Sequence, residues 1–253
     1  MHAVLLAAGL GRRLNEITGG GPKCLLPFGE ASLLERHLRA LRTAGVESLT
    51  VVVGFEAMQI EQALGMLDSL VPPDMAVGTV HNPAFRQGSA KSVLAARNIL
   101  EGDDDILLMD ADVLYDQRML SALLGEGSTD VLGLDTRVGA DDAEAVKVCL
   151  KDDRIVAFDK SLPEGLDYDT VGESVGFFRL SPASADALLL ECHRVADADD
   201  DAPYEAALQR VMLAENTVFK AADVSSLPWI EIDYPEDVER AMSDVLPQLQ
   251  NNG

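Results

Sequence analysis

Apolar residues fall in short runs separated by stretches of helical period through the first half of the chain. Residues 2–7, 48–53, 75–81 and 105–109 are continuous apolar or β-branched runs, the pattern of strands buried on both faces beneath covering helices. Between them, residues 32–44 place Leu33, Leu34, Leu38 and Leu41 at helical spacing, with Ser32 as N-cap and Gly45 as stop. Further helices are predicted over 57–70 and 89–100. From residue 129 the pattern changes. Segments 129–136, 143–150 and 154–158 read as strands joined by Asp/Gly turns, with a hairpin turn at Asp152 and Asp153. Another strand, 174–180, precedes helices over 182–195 and 203–215, strands over 217–221 and 229–232, and a closing helix over 235–245 with Pro235 in its first turn.

This order predicts an α/β fold: one domain, 1–253, built on a doubly wound, mostly parallel, Rossmann-like mixed sheet with a small β-rich subregion. Ligands of such sheets sit beyond the carboxyl ends of the strands. Residues 1–128 form one half and 129–253 the other, with no internal repeat and no linker.

Composition narrows the class. At 253 residues, 47% hydrophobic and 25% charged, the chain is long enough for a substantial core. No apolar run is long enough to cross a bilayer. The N-terminal run is too short for a signal sequence and leads straight into a Gly/Arg loop, so a cytoplasmic location is expected. Cys24, Cys149 and Cys192 are widely spaced without C-x-x-C, which argues against a disulfide framework and a zinc site. They are expected to be reduced and half-buried, with Lys23 favouring a lowered pKa for Cys24. The four histidines have no metal-ligand spacing and read as structural or surface groups. A net charge of -23 repels nucleic acid and anionic membranes, so neither is an expected partner. Homo-oligomerisation is left open.

The chemistry starts at residues 5–27. A short strand breaks into a loop carrying Gly9, Gly11, Gly19, Gly20 and Gly21 with Arg12, Arg13 and Lys23, a combination suited to a polyphosphate: glycines bring backbone N–H groups to an anion and cations neutralise it. It is not a P-loop, because Lys23 follows Pro22 and precedes Cys24, and Leu14 stands where a dinucleotide fingerprint wants its third glycine. The run Gly9-Leu10-Gly11-Arg12-Arg13-Leu14, then Thr18, then Pro22-Lys23 resembles the G-x-G-x-R-L…T-x-x-x-P-K signature of the nucleoside-triphosphate-dependent nucleotidyltransferases that activate sugar phosphates and phosphorylated alcohols.

The resemblance extends to other motifs. In Asp110-Ala111-Asp112, at the fourth strand's end, one carboxylate is expected to face the ligand; the family's second Asp ligates a divalent metal, which implies Asp112 and leaves Asp110 to the nucleotide. The stretch from Trp229 to Asp237 resembles W-x-x-I-D-x-P-E-D, whose Asp completes the metal site, here Asp233. By itself Asp233 reads equally as an N-cap of the last helix, and Asp237 as a surface residue. Mg²⁺ suits one or two carboxylates plus phosphate oxygens and water. Phe158-Asp159-Lys160 resembles the F-x-K element whose lysine holds the acceptor phosphate. Lys147, inside a strand, needs an anionic partner or solvent, and is either a second acceptor contact or a snorkelling lysine.

Arg13, Lys23 and Lys160 are thus the expected catalytic cations. Ala7, Ala8, Gly9, Gly11, Gln87, Gly88 and Ser89 join Asp110 around the nucleotide. Glu173 and Glu231 are acceptor contacts, able to face a cationic amine with Tyr115, Trp229 or Tyr234 through cation–π contact, or else salt-bridged surface groups. Where sugar-activating relatives show Asn-Ala-Gly, this chain has Glu173-Ser174. That departure resembles the branch using phosphocholine or aminoalkylphosphonates. The resemblance implies a Mg²⁺-dependent cytidylyltransferase moving CMP from CTP to a small phosphorylated or phosphonate alcohol or amine. The alternative acceptor is a sugar 1-phosphate or inositol phosphate, with UTP, dTTP or CTP. A nucleotide-sensing module without turnover is the alternative from another class.

The acid surplus, including the run from residue 197 to 201, reads as solvated surface adapted to high salt. Unfolding midpoints and activity that rise with salt are the expected outcome; indifference to salt over a wide range would rule the adaptation out.

Overall fold

The computed structural model describes residues 1–73, 75–137, 145–215 and 217–250. Its strands, in chain order, are β1 (His2–Leu6), β2 (Pro27–Phe28), β3 (Ala31–Ser32), β4 (Ser48–Val53), β5 (Ala76–His81), β6 (Ile106–Asp110), β7 (Val113–Tyr115), β8 (Val131–Asp135), β9 (Lys147–Lys151), β10 (Arg154–Asp159), β11 (Thr170–Leu180), β12 (Lys220–Asp223) and β13 (Trp229–Glu231). The helices are α1 (Asn15–Thr18), α2 (Leu33–Thr43), α3 (Ala57–Met66), α4 (Ala90–Ala95), α5 (Arg97–Leu100), α6 (Arg118–Gly125), α7 (Pro182–Ala198), α8 (Tyr204–Met212), α9 (Pro235–Arg240) and α10 (Leu246–Gln250). Nine strands form one mixed sheet whose main path runs β10-β9-β11-β6-β1-β4-β5. The β6-β1-β4-β5 run is parallel. The long β11 runs antiparallel to β6, β8 and β9 and joins the parallel run to the β-rich region.

The continuous apolar runs are buried on both faces, as parallel strands require. Val4, Val52, Ile106 and Leu108 point to the layer holding α4, α5, α7 and α8. Ala3, Leu5, Val51, Val53, Leu107 and Met109 point to the layer holding α2, α3 and α6. Ser32 caps α2, its Oγ accepting the Glu35 N–H at 3.2 Å, and Gly45 ends the helix with φ 73°. Asp152 and Asp153 form the β9–β10 turn with positive φ at both positions, as a two-residue hairpin of this hand needs.

Several boundaries differ from the pattern. The 89–100 helix tightens at Ala96 into α4 and α5, with i→i+3 bonds on either side. Helix α7 runs on to Ala198, taking Asp197 out of the acidic loop. The strand expected over 217–221 lies at β12, in parallel register with β8, and the closing helix continues past residue 245 into α10. Of the strand expected over 143–150, residues 143 and 144 lie outside the described residues. β7 and the β2–β3 pair are too short to carry a readable period. All three cysteines are fully buried free thiols rather than half-buried ones.

A third, smaller apolar cluster sits at the site. Leu14 from the glycine loop, Leu26 and Phe28 after it, Leu33 of α2, Leu114 of β7, Ile230 and Ile232 around β13, and Ala241, Val245 and Leu246 after α9 pack together. It ties the N-terminal loop and the C-terminal segment to the tip of the sheet. Tyr115 and Phe177 enclose His37 of α2, with ring centroids 5.1 and 6.2 Å away. Burial lowers the His37 pKa to about 3, opposed only slightly by the nearby Ala111 backbone.

A histidine neutral when folded and ordinary when unfolded stabilises fully above about pH 6.5 and progressively less as pH falls toward 3. His37→Leu is therefore expected to remove an acid-side slope of about 1.4 kcal/mol per pH unit below pH 6.5. Urea unfolding at pH 7, 6 and 5 measures it, and parallel slopes in the two proteins would refute the assignment.

Candidate active site

The glycine loop is shaped by what it buries. Gly11, at φ 55°, turns the chain into a short 3-10 segment, Arg12–Leu14, in which Leu14 enters the third cluster while Arg12 and Arg13 stay outside. Gly19 and Gly20, at φ 60° and 82°, turn it back. Pro22 then starts the Lys23–Leu25 turn. Cys24 goes into the core and Lys23 faces the sheet tip. Burial pushes the Cys24 thiol up to about 12, with the Asp112 charge adding; the lowered pKa expected from Lys23 is not found, because a thiolate in the core costs more than one cation returns.

β7 and β13 pair antiparallel, Glu231 opposite Val113, and the Ile232 N–H donates to the Asp112 carbonyl at 3.0 Å. This short ladder sets Asp233 beside Asp112 although 120 residues separate them in sequence. Lys23 Nζ lies 2.6 Å from Asp112 Oδ2 and 2.6 Å from Asp233 Oδ1. Burial works against the Lys23 ammonium, but the two carboxylates hold its pKa above the ordinary range. Arg13 reaches Asp233 at 3.6 Å and stacks 4.5 Å from the centre of the Tyr234 ring. Asp237 accepts the N–H groups of Asp233 and Tyr234 at 3.0 and 2.8 Å. Asp237, expected at the surface, thus holds the backbone at the entry to α9, whose N-cap is Tyr234, while the Asp233 carboxylate turns to Lys23 and Arg13.

Oxygens of Asp112, Glu231 and Asp233 lie within 4.8 Å of one another. Asp112 Oδ1 is buried without a hydrogen-bond partner among the described residues. Glu231 faces the open cleft, yet burial of its carboxyl by the surrounding walls, with the charges of Asp112 and Asp233, raises its pKa to about 8. Hard oxygens at this spacing, one of them orphaned, fit a small divalent cation.

Two cavities meet at this point. The smaller, about 200 Å³, is lined by Ala7, Ala8, Gly9, Lys23, Gln87, Ser89, Asp110 and Asp112 among others. The larger, about 560 Å³, is lined by Asp110, Lys160, Glu173, Glu231, Asp233 and by aromatic Trp229 and Tyr234. Both Asp110 and Asp112 face the small cavity. The expectation of a single facing carboxylate, which assumed an extended chain, fails because Asp110 ends β6 and Asp112 lies in the turn that follows it.

Four expected contacts are placed elsewhere. Lys147 is buried, its ammonium donating to the Lys160 carbonyl at 2.7 Å; it braces Lys160 from behind and does not line the large cavity. Tyr115 is packed on Phe177 in the core, 4.7 Å between ring centres. Gly88 gives its N–H to the Asp200 carbonyl at 2.9 Å, and the Ala202 carbonyl occupies the place of a Cβ. The acidic loop is therefore fastened to this turn, with Lys91 3.1 Å from Asp200, rather than free in solvent. Gly11 shapes the loop and lines neither cavity.

Tyr204 and Glu205, at the start of α8, had no sequence signal. The Tyr204 hydroxyl donates to Asp110 Oδ2 at 2.7 Å, and its N–H donates to Ser89 Oγ at 2.9 Å. Burial, with the charges of Asp112 and Glu205, raises Asp110 well above the usual carboxylate range against that hydroxyl. Burial likewise raises Glu205, whose Oε2 has no hydrogen-bond partner among the described residues.

Residues 3–154 match the family described as MobA-like NTP transferase domain. A bifunctional IPC transferase and DIPP synthase of Rubrobacter xylanophilus is 33% identical over 96% of this chain and 52% of its own. A CMP-5'-(3-aminopropyl)phosphonate synthase of Streptomyces rubellomurinus is 27% identical over 95% of this chain and 38% of its own. The chain thus spans about half or less of these relatives. The inositol-1-phosphate CTP transferase structure from T. maritima superposes with a TM-score of 0.78 at 22% identity, covering 98% of this chain and 96% of that one. No helix among the described residues is long and apolar enough to cross a membrane.

Gly176 faces Asp110 across the β6–β11 pair, with φ 73°, and a Cβ there would collide with the Asp110 carboxylate. Gly176→Ala is expected to destabilise the protein by about 1–3 kcal/mol through backbone strain and that collision. An unchanged melting temperature would count against it.

Proposed function

This chain belongs to the MobA-like NTP transferase family, and from that premise we propose that it transfers CMP from CTP to a small phosphorylated or phosphonate acceptor, releasing pyrophosphate. The observation that carries the reading is the meeting of Lys23, Asp112 and Asp233 at the seam of two cavities. One cavity has the small-residue walls a flat base needs. The other combines a cation, Lys160, with the carboxylates Glu173 and Glu231. The cytidylyl choice is supported by the activities named for the two curated relatives.

Asp112 and Asp233, with Glu231 near, are the residues that would hold Mg²⁺, which when bound supplies positive charge at the α-phosphate. The chain's own groups do the rest. Ala7, Ala8 and Gln87 border the base, and the glycine-loop amides with Lys23 and Arg13 neutralise the triphosphate. Lys160, its backbone held by Lys147, draws in the acceptor's anionic group. An acceptor oxygen bonds to the α-phosphorus as the bond to the β-phosphate bridging oxygen breaks, in line. The nucleophile is already an anion, so no base is required, and catalysis consists of positioning and charge neutralisation.

An inositol phosphate acceptor is the second reading. It is favoured by carboxylates equally able to accept sugar-alcohol hydroxyls, and the T. maritima inositol-1-phosphate CTP transferase shares the fold over 98% of this chain.

The test is pyrophosphate release with each nucleoside triphosphate, Mg²⁺ and a panel of phosphocholine, 2-aminoethylphosphonate, inositol 1-phosphate and hexose 1-phosphates. Turnover with CTP and one of the first three is the expected result; turnover confined to hexose 1-phosphates with UTP or dTTP would replace this reading. Lys23→Ala and Asp112→Asn are each expected to lower kcat/KM on the order of 10²-fold or more.

A further inference from the structure

Asp135 ends β8 and is 2% exposed. Among the described residues its carboxylate accepts hydrogen bonds from Arg137 and Trp229. Arg137 gives its N–H to Oδ1 at 2.8 Å and its Nη2 to Oδ2 at 2.6 Å, with Nε 3.0 Å from each oxygen. Trp229 gives its indole Nε1–H to Oδ2 at 2.7 Å, across 94 residues of sequence. Burial alone would raise this carboxyl, but the Arg137 and Trp229 donors bring it below the ordinary value. Asp135, Arg137 and Trp229 all line the large cavity.

The chain contains an internal control. Asp116 makes the same Asp-x-Arg arrangement with Arg118, at 2.9 Å from N–H, 2.9 Å from Nε and 2.6 Å from Nη2, and is 5% exposed. It has no indole partner among the described residues and lines neither cavity. The local motif is therefore a way of ending a strand. What Asp135 adds is a long-range grip on the chain's single tryptophan at the wall of the acceptor cavity. An indole N–H donating to an anion also enriches the ring's π face, which strengthens its attraction for a cation.

We propose that Asp135 is a positioning residue for acceptor recognition, holding the Trp229 ring and the Arg137 guanidinium as one wall of the large cavity. This rests on the reading of that cavity as the acceptor site. Asparagine has the right shape but must turn its NH₂ toward donors, so Asp135→Asn removes the grip without removing volume.

The experiment compares Asp135→Asn with Asp116→Asn in the full chain. KM for CTP and for the acceptor is measured with Mg²⁺, and Trp229 emission is titrated with phosphocholine, 2-aminoethylphosphonate and inositol 1-phosphate without nucleotide. Asp135→Asn is expected to raise the acceptor KM about tenfold or more, the scale of a lost charged hydrogen bond. It should leave KM for CTP within about twofold, shift Trp229 emission and weaken the acceptor response of that emission. Asp116→Asn should lower the melting temperature comparably and change none of these. Equal KM values and equal emission in the two variants would overturn the inference, as would a wild-type emission that ignores all three acceptors. Absence of turnover in the wild type with every nucleotide and acceptor would sink the parent reading instead, while an emission response lost only in Asp135→Asn would still support the wall.

Discussion

The structure is organised around a charge problem at the tip of the central sheet. Asp112, Glu231 and Asp233 bring carboxylate oxygens within 4.8 Å of one another, where two ionised carboxylates repel by roughly 3–4 kcal/mol at an effective dielectric near 20, and the raised pKa of Glu231 is one response to that repulsion. Lys23, 2.6 Å from two of them, supplies the balancing cation, and Arg13 adds a second, weaker one at 3.6 Å. A group of acids that strains against itself and is relieved by cations is a site prepared for more positive charge. It also fixes the side of the sheet on which a triphosphate would be held.

Such a cluster persists only if the backbone beneath it cannot relax. Two features supply that rigidity. The β7–β13 ladder sets the register of Asp112 against Asp233, and the third apolar cluster packs the glycine loop, the ladder and the C-terminal helices into one unit. The glycine loop contributes one large apolar side chain to that unit, Leu14, and that single anchor leaves its arginines outside. Asp237 completes the arrangement by accepting the backbone N–H groups of Asp233 and Tyr234, which fixes the chain that carries the Asp233 carboxylate.

The two cavities are joined on a second side by Tyr204, which touches Ser89 with its backbone and Asp110 with its hydroxyl. Gly176 keeps the space above Asp110 clear. Gly88 packs against the Ala202 carbonyl, so the turn beside the small cavity takes its position from the α7–α8 connection. The floor shared by the cavities is thus built from segments far apart in the chain, each fixed by backbone contacts that leave no room for a side chain.

The sequence by itself determined the architecture and the position of the glycine loop at the end of the first strand. Continuous apolar runs alternating with helical periods call for a buried parallel sheet, and a run of glycines after the first strand calls for a loop there. Both are local properties that neighbouring residues carry together. What only the tertiary structure decided is the large cavity and its surroundings: Lys147 behind Lys160, Tyr115 in the core, Asp237 under the Asp233 backbone, and Tyr204, Glu205, Asp135 and Arg137 around the cavity. Periodicity shows none of these: Tyr204 meets Ser89 and Asp110, and Asp135 meets Trp229, across 94 to 115 residues, while the shorter pairings of Lys147 with Lys160 and of Asp237 with Asp233 depend on register and turn geometry.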